Sequence, residues 1–402
     1  MNRWLVVFGS ICIQLCLGAV YAWSLFNQPL AKSFGWSIDD IVITFSITIA
    51  TFAFFTMIAG KLQDKIGPRG VASLGGILLG TGLILSSQAT SLLELYIYYG
   101  VIGGAGIGMA YVCPIATCVK WFPDKKGFIS GIAVAGFGAG GLVFKPVILY
   151  LMESYGVSNT FLYLGIIYIV LVVGGAQLLK NPPNIQINKL KEQKTLQPID
   201  FTTGDMLRTR SFYLLWFMFL MGCTSGLMVI SFAVDIGVQV ANLALETAAA
   251  SVMMIAIFNA AGRIVLGTLS DKYGRKPILI SMYICSGLIM LFMNIIPMNY
   301  PIFLLFVSFI GFNFGGFLSI FPSITAEYYG TKNIGINYGL MYQAYGVAAF
   351  VGPVIATTFG FTNAFLLAVI LNIGGILLTT RLKKTQNELA ISNRQLKKAV
   401  GE

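Results

Sequence analysis

The stretch GTLSDKYGRKP at residues 267–277 repeats an earlier stretch of the chain, GKLQDKIGPRG at residues 60–70. Both copies place two glycines and one aspartate at identical spacings, 207 residues apart. Further pairs return at an offset of 207–208 residues: Gly103 and Gly311, Gly108 and Gly316, Pro114 and Pro322, Thr117 and Thr325, Gly127 and Gly335, Gly131 and Gly339, Gly138 and Gly346. An internal repeat of this length predicts two halves in parallel orientation with a site between them.

The composition indicates that both halves lie in a membrane. Of the 402 residues, 57% are hydrophobic and 10% are charged, a balance that a water-soluble chain of this length could not bury. We count twelve apolar stretches that approach or exceed the ~20 residues needed to cross a bilayer. They cover about 4–26, 41–61, 71–89, 94–118, 128–151, 158–180, 211–237, 245–268, 278–296, 300–322, 335–357 and 361–381. The sequence therefore predicts an all-α membrane protein with twelve transmembrane helices in two pseudo-symmetric six-helix halves.

The basic residues predict how these spans are oriented. Loops on one side of the membrane, including the segment between spans six and seven, carry nearly all the lysines and arginines. By the positive-inside rule we expect that side and both termini to be cytoplasmic, in a cell (inner) membrane. The net charge of +11 then matches anionic lipid head groups, and we expect no nucleic-acid partner. The predicted domains are a first bundle (1–180), a cytoplasmic linker (181–207), a second bundle (208–381) and a cytoplasmic tail (382–402).

Arg263 is the residue that points to a function. It lies within SVMMIAIFNAAGRIVLGTL at residues 251–269, where a guanidinium is costly unless it faces a protein interior or a watery cavity. The direct use of such a cation is to hold an anion. Asn259, four residues earlier, shares its helix face and could help to grip a carboxylate. Alternatively, Arg263 extends to the cytoplasmic interface, two turns from Asp271.

The sequence offers little support for an enzyme. The chain has no histidine, and its six cysteines all lie inside apolar stretches. No nucleophile, metal or cofactor constellation accompanies them, so we predict no catalytic residue, no metal site and no cofactor.

The repeated turns resemble the loop signature of the major facilitator superfamily. In that family such turns latch the two halves together on the cytoplasmic face, which implies a latch role for Asp64, Arg69, Asp271 and Arg275. Three further stretches resemble the oxalate/formate antiporter and monocarboxylate transporter branch: GAVYAWSLF (18–26), KWFPDKKGFISGIAVAGFGAG (120–140) and NYGLMYQAYG (337–346). The resemblance implies a monomeric carrier of small carboxylates that works by exchange or together with H+.

The resemblance also implies a set of binding residues. An arginine of the eighth helix holds the carboxylate in that family, and Arg263 matches it, with Asn259 one turn earlier. Tyr21 and Tyr111 match positions that line the anion cavity, while interhelical hydrogen bonds are the alternative role for each. Tyr342 and Tyr345 are further cavity candidates. Tyr345 stands where oxalate exchangers carry a lysine, so the sequence favours a monoanion such as pyruvate, lactate or formate over oxalate.

Lys145 and Asp235 leave two questions open. Lys145 lies in span five, the counterpart of the span that bears the family's lysine, and could be a second cation for a dicarboxylate. From the predicted span centres we expect it on the order of 20 Å from Arg263 along the membrane normal, which favours a gate in the outer vestibule or extension of the side chain to the interface. Asp235 could carry a proton or pair with Lys145, so exchange and proton symport both remain open.

Three classes of function compete. A secondary carrier for small monocarboxylates, working by alternating access, accounts for the repeat and for Arg263 together. A transport-dead carboxylate receptor would keep the cavity but not accumulate substrate. A drug or sugar porter on the same scaffold is disfavoured by the cationic site.

Overall fold

The computed structural model describes residues 3–182 and 200–382, and the described residues form helices joined by short turns. The predicted linker and tail fall largely on 183–199 and 383–402, outside the described residues, so the proposed domain boundaries stay a prediction. Ten helical stretches are long and apolar enough to cross a membrane. This agrees with a chain that must satisfy its backbone hydrogen bonds without help from lipid.

Two of the ten stretches cross twice. Lys126–Gln177 has 52 residues and Ile334–Arg381 has 48, each about twice the length that a bilayer requires. Each is broken by one glycine with a positive φ, Gly156 at 76° and Gly360 at 71°. Because glycine alone adopts this conformation without strain, the chain can reverse there without a loop. The prediction of twelve crossings is confirmed.

We number the twelve crossings in chain order. The first half contains α1 (Arg3–Gly18, extended by a 3-10 turn over Ala19–Ala22), α2 (Ile38–Ile66), α3 (Pro68–Ser86), α4 (Leu92–Trp121), α5 (126–155) and α6 (157–177). The second half contains α7 (Arg210–Ser231), α8 (Leu245–Tyr273), α9 (Arg275–Ile295), α10 (Tyr300–Tyr329), α11 (334–359) and α12 (361–381).

The largest contacts between the halves join α5 with α8 and α2 with α11. Backbones touch directly where repeated glycines face each other. A Cβ on Gly60 would lie 2.1 Å from the carbonyl oxygen of Gly335, and a Cβ on Gly127 would lie 2.2 Å from that of Gly267. These contacts lie at the end of the bundle that carries Lys65, Lys120, Lys125 and Arg275, which we call the basic end.

Candidate functional site

Arg263 lies in the middle of the contact between α8 and α5, and its side chain is fully buried. Its Nε donates to Oδ1 of Asn259 over 2.7 Å, and its Nη1 donates to the carbonyl oxygen of Val134 on the opposite half. The guanidinium therefore spans the interface between the halves. Extension to the membrane surface, the alternative use of this residue, is not the observed conformation.

Glycines make room for this cation. A Cβ on Gly138 of α5 would lie 3.1 Å from Oδ1 of Asn259 and 3.3 Å from Nε of Arg263. A Cβ on Gly315 of α10 would lie 2.1 Å from the carbonyl oxygen of Asn259. Because α5 and α10 can come so close to α8, the guanidinium is held between three helices of both halves.

Aromatic rings surround the guanidinium and converge on Phe137. The Phe137 ring centre lies 6.0 Å from Cζ of Arg263, 5.3 Å from the ring of Tyr21 and 5.2 Å from the ring of Tyr111. The ring of Tyr342 lies 4.9 Å from that of Tyr111 and 4.8 Å from that of Tyr345. Phe52 closes the group from α2. We call these six side chains the aromatic cage: Tyr21, Phe52, Tyr111, Phe137, Tyr342 and Tyr345.

The site has hydrogen-bonding capacity that the described residues do not use. Nη2 of Arg263 and the Tyr111 hydroxyl are buried, yet neither bonds to a described residue. A buried polar atom without a partner costs about 1–3 kcal/mol. Both groups can donate to an oxygen, so together they suit an anionic acceptor.

Arg263 is also the only charged residue that is buried among those whose side chains the structure describes. Its two acceptors, an amide oxygen and a backbone carbonyl, are neutral. No described carboxylate therefore compensates the charge directly, and a guanidinium remains charged in such a setting.

Hydrogen bonds and ion pairs, which we call the latch, join the halves at the basic end beneath Arg263. Asp271, near the end of α8, accepts hydrogen bonds from the backbone N–H groups of Gly127 (2.9 Å) and Phe128 (2.8 Å) at the start of α5. Arg275 pairs with Asp271 and with Glu327, each at 2.6 Å. A carboxylate at a helix N-terminus is favourable for both the hydrogen bonds and the dipole.

The matching contact in the other helix pair is built differently. Asp64 of α2 accepts from the backbone N–H of Ile336 in α11 at 2.9 Å, and Lys120 pairs with Asp64 at 3.4 Å. Arg69, which the resemblance placed in the latch, instead donates to the carbonyl oxygen of Gln177 within its own half. The reason is spacing. Arg275 lies four residues after Asp271, whereas Pro68 occupies that position after Asp64.

On the other side of Arg263 the halves meet through two hydroxyls. Tyr21 of α1 and Tyr345 of α11 share a hydrogen bond of 3.1 Å. A Cβ on Gly141 would lie 3.7 Å from Cβ of Tyr21, which places Tyr21 about one turn farther from the basic end than Gly138 and Arg263. The guanidinium is thus enclosed between the latch and this hydroxyl pair.

The comparisons with known proteins agree with this architecture. The family model of the Major Facilitator Superfamily matches residues 6–353. The chain belongs to that superfamily. It is therefore a multi-pass membrane transporter by family, not an enzyme.

Several relatives narrow the branch of the superfamily. The chain is 36% identical to the "Uncharacterized MFS-type transporter YhjX" of Escherichia coli (strain K12), over 87% of this chain and 86% of the relative. It is 31% identical to the "Oxalate:formate antiporter" of Oxalobacter formigenes, over 92% and 88%. It is 27% identical to "Monocarboxylate transporter 12" of Rattus norvegicus, over 95% and 87%. These relatives confirm the predicted branch.

A solved structure agrees on the fold of this superfamily member. The crystal structure of the transporter FucP in the outward conformation superposes on this chain with a TM-score of 0.72 and 15% sequence identity. The match covers 96% of this chain and 100% of FucP. At this identity the likeness concerns the fold alone.

Lys145 and Asp235 lie outside the enclosed site of this transporter. Both are exposed, and no ion pair joins them to each other or to another described residue. Along the helix backbones, Lys145 lies about 20 Å from Arg263, as expected. A Cβ on Gly131 would lie 2.3 Å from the carbonyl oxygen of Arg263, and Lys145 is 14 residues beyond Gly131. The guanidinium is nearer to Lys145 than the backbone of Arg263 is. Gly138 lies level with the guanidinium, and Lys145 is seven residues farther along α5, or about 10 Å. Because seven residues make about two helical turns, Lys145 also lies on the same face of α5 as Gly138, the face toward Arg263. The difference between the two distances arises because the Arg263 side chain extends along α5 from the level of Gly131 to the level of Gly138.

Sequence reasoning missed Phe52 and Phe137 of the aromatic cage and the carbonyl of Val134. The repeat held a usable signal for the two rings. At its spacing, Phe137 matches Tyr345 and Phe52 matches Asn259, while Arg263 matches Thr56. A backbone carbonyl leaves no such signal.

Proposed function

We propose that this protein carries small monocarboxylates across the membrane by alternating access, with Arg263 binding the carboxylate. The observation that supports this most strongly is the free Nη2 of a fully buried guanidinium at the interface between the halves. A charge-assisted hydrogen bond to a carboxylate would satisfy that atom. Tyr111 adds an unused hydroxyl without adding charge.

The position of Arg263 suits alternating access. The latch closes one route to it, and the Tyr21–Tyr345 hydroxyl pair closes the other. Opening either set of contacts would expose the same guanidinium to one side of the membrane. We propose that the basic end faces the cytoplasm of the cell, following the positive-inside rule.

The charges of the site favour a monoanion. Arg263 is the only charged residue that is buried among the side chains that the structure describes. Tyr111 can donate its unused hydroxyl to a second polar group of the substrate. Whichever of Tyr21 and Tyr345 accepts their shared hydrogen bond can do the same. Asn259 acts on the guanidinium, since its Oδ1 accepts from Nε. One observation favours a second candidate, a dicarboxylate such as oxalate. Lys145 lies on the same face of α5 as Gly138, two turns out, so a long lysine side chain could approach a ligand on Arg263.

Lys145→Gln separates the two substrate classes. For a vestibule cation we expect the half-saturating concentration to rise about threefold for formate and oxalate alike. The effect should vanish near 1 M salt, where the Debye length is about 3 Å. The measurement is initial uptake into proteoliposomes. The matched control is Arg208→Gln, which removes an exposed arginine two residues before α7. Selective loss of oxalate transport would show that Lys145 clamps a second carboxylate.

The electrostatics of the site support exchange over proton symport. With the substrate gone, Arg263 remains buried without a described counter-charge, and such burial costs several kcal/mol. An empty carrier would therefore change its conformation slowly, while a carrier with a bound anion would not pay this cost. Asp235 is exposed and outside the enclosed site, so it offers no buried proton carrier beside the substrate.

Asn259→Asp tests the exchange mechanism. The new carboxylate would lie against Nε of Arg263 and act as an internal counter-charge. We expect the ratio of exchange to net efflux to fall by about tenfold or more. The measurement is efflux of labelled formate from proteoliposomes with and without external formate. Asn259→Ser, which stays neutral, should keep the wild-type ratio. Wild-type efflux that needs no external anion would contradict exchange, and efflux driven by a pH gradient would indicate proton symport.

A transport-dead receptor predicts a different result in the same vesicles. It would bind labelled carboxylate in detergent but show no counterflow. The enclosure of Arg263 between two sets of contacts supports the carrier, because a receptor needs access from one side only.

A further inference from the structure

Two arginines of the second half line one cavity at the basic end. Arg210 begins α7 and Arg381 ends α12, and with Ser211 and Leu214 they surround a space of about 330 Å³. Both arginines are exposed, and neither forms a hydrogen bond or an ion pair with a residue in the described ranges. Two like charges that face one space repel each other unless an anion lies between them.

The cavity lies where the apolar surface of the bundle ends. Arg210 is the first residue of one candidate span and Arg381 the last residue of another. Beyond them, the outer faces of α7 and α12 expose large apolar side chains, among them Tyr213 (51%), Phe217 (46%) and Leu377 (54%). Lys276 adds a cation nearby, because its Nζ donates to the carbonyl oxygen of Leu382, next to Arg381. Where the apolar surface of a membrane helix ends, the lipid head groups begin. Cationic groups at that position are therefore at the depth of the lipid phosphates.

We propose that this cavity binds the head group of an anionic phospholipid. The phosphodiester would accept hydrogen bonds from both guanidinium groups and from the Ser211 hydroxyl. An acyl chain would then continue past Leu214 along the exposed face of α7. No described acid lines the cavity, so a head group with an ammonium would face two guanidinium groups without a counter-charge. The lipid would join the base of α7 to the base of α12.

This proposal is independent of Arg263 and of the transported substrate. Its test uses the full-length carrier, purified in detergent, stripped of lipid and titrated with phosphatidylglycerol under native mass spectrometry. We expect Arg210→Gln combined with Arg381→Gln to weaken lipid binding by about 30-fold, since each cation near an anionic surface contributes roughly a factor of five. Arg208→Gln combined with Lys332→Gln removes the same charge from the same end outside the cavity, and should leave binding within about twofold of wild type.

Three outcomes would overturn the proposal. Equal weakening in both double variants would mean that total surface charge attracts the lipid. Equal binding of phosphatidylcholine would remove the selectivity for an anion. Displacement of the lipid by millimolar inorganic phosphate would assign the cavity to a free anion.

Discussion

Arg263→Gln is expected to lower carboxylate uptake by about 100-fold or more while the carrier still folds and inserts. Removing the guanidinium takes away the charge-assisted hydrogen bonds that a buried carboxylate would receive. Truncating one partner of such a pair costs about 2–5 kcal/mol of binding free energy. Folding should persist, because the variant also removes an uncompensated buried charge. The measurement is uptake into proteoliposomes, with melting temperature as the check on folding.

Arg263→Lys shows whether charge alone is sufficient. Lysine has no planar guanidinium, so it cannot bond to Asn259, Val134 and a substrate at the same time. We therefore expect uptake to fall by about tenfold or more. Arg208→Gln, which removes an exposed arginine, should transport at the wild-type rate. Normal uptake by Arg263→Gln would disprove the proposed role of Arg263, whatever the identity of the substrate.

Gly267→Val is expected to prevent closure of the basic end. A Cβ at Gly267 would already lie 2.4 Å from the carbonyl oxygen of Gly127, and a backbone atom cannot move aside as a side chain can. Overpacking of this kind costs about 1–3 kcal/mol, which shifts a conformational equilibrium by about 5–150-fold. Uptake should fall by a comparable factor, because the cycle requires this contact to form.

A buried serine can report the opening. Ser130 and Ser323 bond across the halves at 3.2 Å, and both are fully buried. In the Ser130→Cys background, we expect Gly267→Val to increase labelling by a maleimide added to the basic end in inverted vesicles, compared with Ser130→Cys alone. Gly174→Val is the matched control, because a Cβ there would meet nothing within 4 Å. Unchanged labelling together with normal uptake would show that closure does not depend on this glycine contact.

The fold could be predicted because the membrane leaves few choices. Twelve long apolar stretches must be helices in lipid, and the repeated turn relates their two halves. Arg263 could be predicted for a similar reason, since a charge in an apolar stretch is too costly to be incidental.

The rest of the site depended on information that a single sequence does not contain. Phe52 and Phe137 are two of 30 phenylalanines, and an inward ring in an apolar stretch looks like one that faces lipid. The distance from Lys145 to the guanidinium depended on the direction of the Arg263 side chain, which extends along α5 to the level of Gly138. Arg69 is not in the latch because Pro68 occupies the position that matches Arg275, and Arg69 lies one residue beyond it.

The repeat makes the two halves alike in backbone but not in charge. At the positions where the second half carries Asn259 and Arg263, the first half carries Phe52 and Thr56. If Arg263 holds the anion, the anion stays with the second half throughout the cycle. The first half then moves relative to it and exposes the anion to one side of the membrane and afterwards to the other. Duplication thus supplied one half that holds the charge of the substrate and one half that closes over it, and the tyrosines of the first half, Tyr21 and Tyr111, would contact the remainder of the substrate.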